Sequence, residues 1–207
     1  MEESKKYGSL QGKEVVVLYG GWSEERTVSL ASGKKVAASL ARQKIPYRLV
    51  DPDRTLSKFI QQLEQPKRPD IIFNALHGLW GEDGRIQSVL DILDIPQTHS
   101  SSFASALCMN KIYTSHLAQN LGITVAKFKV ATWQEASQEH LLLPPYVIKP
   151  INEGSSVGVH IVQAEDNPVG VKMGDWHYSK KVMVDIDKKE LKLLKYWFFD
   201  LKLVIKK

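Results

Sequence analysis

The chain has 207 residues, 43% hydrophobic and 25% charged, with one cysteine and a net charge of +5. That balance describes a globular protein with one good core or two modest ones. It excludes a disordered chain, an internal disulfide and, with no run of about 18 apolar residues, a membrane-spanning helix. The charge does not form a nucleic-acid stripe, since residues 1–170 carry 18 Lys and Arg against 18 Asp and Glu, and the excess lies in residues 171–207, with ten Lys, no Arg and five acids.

In chain order, MEESKKYGSLQGKE is too polar for a signal peptide's apolar segment, so a cytoplasmic setting is expected. KEVVVLYGG is an apolar strand closed by two glycines, and SEERTVSLASGKKVAASLARQ takes on helical spacing, with Val36 and Leu40 one turn apart. YRLVD, TLSKFIQQLEQ and DIIFNAL read as strand, helix and strand; RIQSVLDILD is a closing helix and IPQTHSSS a strand or loop leading out. Strands alternating with helices predict an α/β fold, with a doubly wound parallel sheet covered on both faces over residues 1–97. SFASALCMNKIYTSHLAQNLG then predicts one long helix with a glycine stop, in which Cys108 is a small buried thiol rather than a nucleophile. TVAKFKVAT is a strand, WQEASQEHLL a short helix capped by Thr132, and PYVIKPI and VGVHIVQ the arms of an antiparallel hairpin. These make a small α+β unit over residues 98–170. Over 171–207 the pattern degrades, and KKVMVDIDKKELKLLKYWFFDLKLVIKK crowds Lys, Leu, Trp and Phe with no glycine or proline.

Three stretches carry candidate chemistry. In GGWSEER, residues 20–26, glycines after a strand let a ligand approach the start of a helix, whose free N–H groups favour an anion. Glu25 there either stabilises the helix dipole or serves as counter-charge for an ammonium group. In HGLWGEDG, residues 77–84, His77, Glu82 and Asp83 stand at the carboxyl end of a strand, where ligands gather in open α/β sheets; the alternative is a tight surface turn. The other five histidines are scattered, and no spacing resembles a metal cage. In KPINEGSSVG, Gly154 and Gly158 allow successive N–H groups to turn toward one point, Ser155 and Ser156 add hydroxyls, and Lys149 sets an ammonium at the loop's entrance. Such a loop can wrap a phosphate or be an ordinary hairpin. It is not a Walker A loop, and GxGxxG is missing from the first turn.

Together, GGWSEERTVSLASG, ALHGLWGEDGRIQSVLDILDIPQTHSSSFASALCMNK and YVIKPINEGSSVGVHIV resemble the D-alanine–D-alanine ligases, ATP-grasp enzymes of cell-wall (peptidoglycan) synthesis, from about Val15 to Val162. The resemblance implies a pre-ATP-grasp domain followed by a small ATP-grasp subdomain. It implies ATP and Mg²⁺ as cofactors, D-alanine as substrate, a homodimer, and dipeptide formation through an acyl phosphate. It places Glu25 on the ammonium of the first D-alanine and His77 near the substrate's carboxylate end. Lys111 and Lys149 would hold ATP phosphates, and Glu153, Gly154, Ser155 and Ser156 form a phosphate lid, with Ser155 also supporting Glu25.

Beyond VGVHIVQ the likeness thins. Asp185 stands where the family has an adenine-contacting acid and Glu190 where it has a ribose-binding acid, while the family's Mg²⁺ ligands and its oxyanion-stabilising arginine have no counterpart. Residues 171–207 are therefore expected to be a truncated or divergent start of a third domain, and the chain alone is expected not to catalyse ligation. The alternative is a noncatalytic ligand-binding remnant. Another ATP-grasp ligase is a third reading, which GGWSEER and HGLWGEDG together argue against.

Overall fold

A computed structural model describes residues 10–155, 157–166 and 181–186. The chain divides into two compact units between Cys108 and Met109. Among the described residues, no helix is long and apolar enough to cross a membrane.

The first unit runs β1 (Val15–Leu18), α1 (Arg26–Arg42), β2 (Tyr47–Val50), α2 (Leu56–Glu64), β3 (Ile71–Asn74), α3 (Arg85–Ile92) and α4 (Ser102–Met109). Its three strands are parallel in the order β2-β1-β3. All four residues of β1 are at most 2% exposed, because both faces of the sheet are covered. Val16 and Leu18 join Phe59 and Leu63 of α2 and Ile86 and Leu90 of α3, whereas Val15 and Val17 pack with Leu40 of α1 and Ile45. A continuous apolar strand is what two buried faces require, at about 2 kcal/mol for each large side chain removed from water. IPQTHSSS contributes a single parallel bridge, Ile72 to Gln97, beside β3.

The division of the chain comes later than the residue 97 read from sequence, because α4 packs on the first unit. A Cβ on Gly84 would lie 2.4 Å from the Ser102 carbonyl oxygen and 3.3 Å from the Ala106 side chain. The expected long helix is in fact two. Asn110 has extended backbone (φ −87°, ψ 107°), and its side chain accepts hydrogen bonds from the Ile112 and Tyr113 N–H groups, capping α5 (Lys111–Asn120). The expected glycine stop is Gly122, at φ +76°. Cys108 is exposed rather than buried, because Ser105 is the residue that α4 buries and Cys108 lies on a less covered side of the helix.

The second unit continues with β4 (Lys127–Thr132), α6 (Trp133–Gln138), β5 (Tyr146–Pro150), β6 (His160–Val162) and β7 (Lys181–Ile186). Thr132 and Glu135 form the reciprocal capping box of α6. β5 and β6 are the expected antiparallel hairpin, but the sheet order is β4-β7-β5-β6, so a strand from the lysine-rich segment lies between β4 and β5. Its core joins Tyr146, Ile148, Val162 and Val184 to Ala131 and Ala136.

The helix break is testable by sign. Asn110→Ala should destabilise the second unit by about 1 kcal/mol in urea unfolding, with Asn110→Asp near neutral. In an uninterrupted helix the same alanine would instead stabilise by a few tenths of a kcal/mol, as alanine is the better helix former.

Candidate functional site

The first cluster follows from strand adjacency. Leu18 and Asn74 pair in register and the Ala75 N–H donates to the Leu18 carbonyl, so residues 19–25 and 75–84 leave the sheet side by side. The order β2-β1-β3 also makes the gap between β1 and β3 the point where the chain reverses its winding, the place where open α/β sheets bind ligands.

Side chains tie the two loops together. Ser23 donates its hydroxyl to the His77 carbonyl (2.6 Å) and accepts from the Glu25 N–H (3.2 Å). Ser29 donates to the Ala75 carbonyl (2.7 Å), and the Trp22 and Trp80 rings meet edge to face at 5.3 Å. Arg26, the first residue of α1, makes a two-pronged contact with Asp51 (3.0 and 2.6 Å) and donates to the Gly21 carbonyl (2.8 Å), while the Gly21 N–H donates to Asp51 (2.9 Å). The glycine turn is thus held from both sides.

Glu25 is 7% exposed. Gly78 stands against it: an added Cβ would lie 3.1 Å from Glu25 Oε1 and 3.2 Å from Ser23 Oγ, at φ +70°, where side chains are strained. His77 has its Nε2 3.1 Å from Ser32 Oγ and its Nδ1 3.7 Å from Glu82 Oε1. Glu82 also accepts from the Gly78 N–H (2.9 Å). Burial alone would raise the Glu82 carboxyl, but the His77 ring and the Gly78 N–H more than offset it and hold it below the ordinary carboxylate range. Asp51 behaves alike, burial being outweighed by Arg26 and the Gly21 N–H. Asp83 has a different task, accepting from the Trp80 and Arg85 N–H groups and pairing with Arg85 at 3.3 Å, which sets the turn into α3.

The second cluster lies in the other unit. Lys149 is on β5, opposite Met183 of β7. Lys111, which begins α5, directs its ammonium at the Ile151 and Glu153 carbonyls, and the Lys111 N–H donates to the Ile151 carbonyl (3.1 Å). Glu153 and Gly154 are partly buried and Ser155 is exposed. Ser155 at φ +46° and Gly158 at φ +67° turn the backbone left-handed on either side of the loop's tip. Lys111 is therefore tied to the stem of the loop that carries Glu153, Gly154 and Ser155, and Lys149 lies on the strand that leads into it. Asp185 lies on β7 opposite Phe128 and Val147; its side chain, Ser156 and Glu190 lie outside the described residues.

Sequence reading missed Ser23, Ser32, Arg26, Asp51, Asn74, Gln87 and His99. Arg26 and Asp51 are 25 residues apart and signal nothing until β1 and β2 pair. His99 is not a stray histidine, for its Nδ1 lies 3.1 Å from both Asn74 Nδ2 and Gln87 Nε2.

Two depressed carboxylates give a pH expectation. A carboxyl that binds protons less readily when folded stabilises the fold above about pH 4 and loses that contribution as the pH falls toward its folded value. The urea midpoint should therefore drop on acidification below about pH 4. Asp51→Asn should lower it at neutral pH and flatten the acid limb; an unchanged limb would count against the clamp.

No family model matches the chain. A D-alanine–D-alanine ligase of Parvibaculum lavamentivorans is 45% identical over 177 residues, covering 84% of this chain and 56% of the relative. The crystal structure of the Bacillus anthracis D-alanine–D-alanine ligase superposes with a TM-score of 0.68 at 28% identity, over 84% of this chain and 57% of that one. The same enzyme complexed with ATP gives 0.66 at 26% identity, over 84% and 58%. The chain is thus homologous to D-alanine–D-alanine ligases of the ATP-grasp fold across most of its own length, while spanning little more than half of theirs.

Proposed function

We propose that this chain supplies the amino-acid-binding and phosphate-binding parts of a D-alanine–D-alanine ligase, which joins two D-alanines through an acyl phosphate for peptidoglycan synthesis. The observation that carries the reading is Glu25, a carboxylate 7% exposed at the start of α1 and pressed against the HGLWGEDG loop through Gly78 and Ser23. A carboxylate at a helix start gains about 0.3 to 1 kcal/mol from the dipole. Placed beside the glycine turn and the HGLWGEDG loop, it can also serve as counter-charge to an ammonium group, and an amino acid carries one.

In this reading Glu25 receives the ammonium of the first D-alanine, and His77, steadied by Glu82 and Ser32, faces the substrate's carboxylate end. ATP, when bound, supplies the phosphoryl group that activates a carboxylate. Lys149 and Lys111 provide positive charge at the base of the loop, and the left-handed turns at Ser155 and Gly158 direct backbone N–H groups toward an oxyanion. Ser156 adds a second hydroxyl, and Asp185 and Glu190 meet the adenine and ribose. Shielding by this loop keeps water from an acyl phosphate, which would otherwise hydrolyse before the second amine arrives. Among the described residues no three His, Cys, Asp or Glu gather to hold a metal, so no step is assigned to Mg²⁺. Homodimer formation through the first unit and a cytoplasmic setting complete the proposal.

Titrations of D-alanine and ATP into the full chain separate the two parts. Glu25→Gln and Gly78→Ala should each weaken D-alanine binding about tenfold or more while sparing ATP, and Lys149→Met should do the reverse. Equal binding of L- and D-alanine, or insensitivity to Glu25→Gln, would sink the reading. Release of ADP with D-alanine and Mg²⁺ then decides between turnover and binding alone.

A further inference from the structure

Asn74 at the end of β3, Gln87 in α3 and His99 beyond it meet at the carbonyl of Gly81. Asn74 Nδ2 donates to that carbonyl at 2.9 Å and approaches His99 Nδ1 at 3.1 Å; Gln87 Nε2 donates to the same carbonyl at 2.7 Å and approaches the same ring nitrogen at 3.1 Å. The four atoms close a ring in which two amino groups alternate with two acceptor positions. The Asn74 amide is fixed at both ends, since its Oδ1 accepts from the Leu76 N–H (3.0 Å). Gln87 Oε1 is buried without a hydrogen-bond partner among the described residues, and the Gln87 orientation is set by the Gly81 carbonyl, against which a reversed amide would place an oxygen in place of a donor. Asn74 and Gln87 are 3% and 0% exposed, so a lost hydrogen bond would not be replaced by bulk water. With two N–H donors aimed at it, Nδ1 of His99 carries no proton, and the ring's proton is on Nε2.

We propose that His99 is a positioning residue of the candidate site: a neutral Nε2–H imidazole whose Nδ1 holds the Asn74 and Gln87 amides on the Gly81 carbonyl and so sets the adjoining Glu82 carboxylate beside His77. Glu82 follows Gly81 directly, so the peptide that the two amides fix is the one that carries its side chain. His77 is the ring that contacts the carboxylate; His99 is close enough to lower the Glu82 carboxyl electrostatically when it carries a charge, and as a neutral ring it acts on Glu82 through geometry. The functional weight of this arrangement rests on the ligase reading, but its physical content does not.

Side-chain ¹⁵N–¹H correlation spectra of the full chain, with no nucleotide or amino acid present, test it. His99 should show the Nε2–H tautomer at neutral pH. His99→Asn, whose amide oxygen stands near the place of Nδ1, should leave the His77 ring signals in position, while His99→Leu, lacking any acceptor, should shift them. An Nδ1–H or doubly protonated His99, His77 signals indifferent to His99→Leu, or an equal disturbance in both variants would overturn the proposal. Should His99→Leu not fold, the wild-type tautomer and the His99→Asn spectrum decide it alone. D-alanine affinity should fall about tenfold in His99→Leu and stay within about twofold in His99→Asn. If the wild-type chain binds no D-alanine, the ligase reading falls and the spectra still decide the role of His99.

Discussion

The first unit's candidate site depends on β1 and β3 ending level. Their pairing brings Leu18 beside Asn74, and from that point two loops more than 50 residues apart in sequence begin as neighbours. A slip of one residue would turn Val16 and Leu18 away from α2 and α3, and β1 is buried on both faces. The hydrophobic core thereby fixes the register, and the register fixes which loop residues can meet. Ser23 to the His77 carbonyl, Ser29 to the Ala75 carbonyl and Trp22 against Trp80 are consequences of that alignment. They hold a geometry that the sheet has already set.

Much of this was legible in the sequence because the elements of the first unit are strongly periodic and their turns are marked by glycine. The hairpin of β5 and β6 and the Thr132 cap were legible for the same reason. Two elements were not. The break at Asn110 carries no glycine or proline, and an asparagine amid helix formers reveals itself as a cap only once its side chain is seen on the Ile112 and Tyr113 N–H groups. β7 was hidden because KKVMVDI reads as the start of a lysine-rich run, and its apolar alternation gains meaning only between β4 and β5. Glu25, His77 and the glycine loop stood out as motifs. Their supports did not, since Ser32 on His77, Arg26 on Asp51 and the amides on His99 are contacts made by tertiary folding, with no local signature.

The place of β7 changes what the second cluster rests on. Without it β4 and β5 would each present an unpaired edge, and a hairpin of two short strands is marginal in water. With it, Val147 and Ile148 are paired on both sides, to β6 and to β7, Lys149 and Pro150 are paired to β7, and Ile148 and Val184 are buried together. Lys149 therefore projects from a central strand. The lysine-rich segment begins as part of the scaffold for the loop that follows β5.

The two clusters use different physics. In the first unit a buried carboxylate and a histidine are held by side chains drawn from several elements, which suits a small zwitterion whose two charges must both be matched. In the second, one loop bends its own backbone through left-handed residues at Ser155 and Gly158, and lysines enter from β5 and α5. That arrangement suits a phosphate, whose oxygens accept hydrogen bonds from many directions and whose charge needs little stereochemical discrimination. Lys111 illustrates the economy of the second design, because its ammonium satisfies the Ile151 and Glu153 carbonyls at the loop's stem. A carbonyl is a weaker partner for an ammonium than a phosphate oxygen, charge-assisted on both sides. In the proposed function an arriving anion would compete for Lys111 on favourable terms, and the lysine that shapes the loop's stem would also hold the ligand.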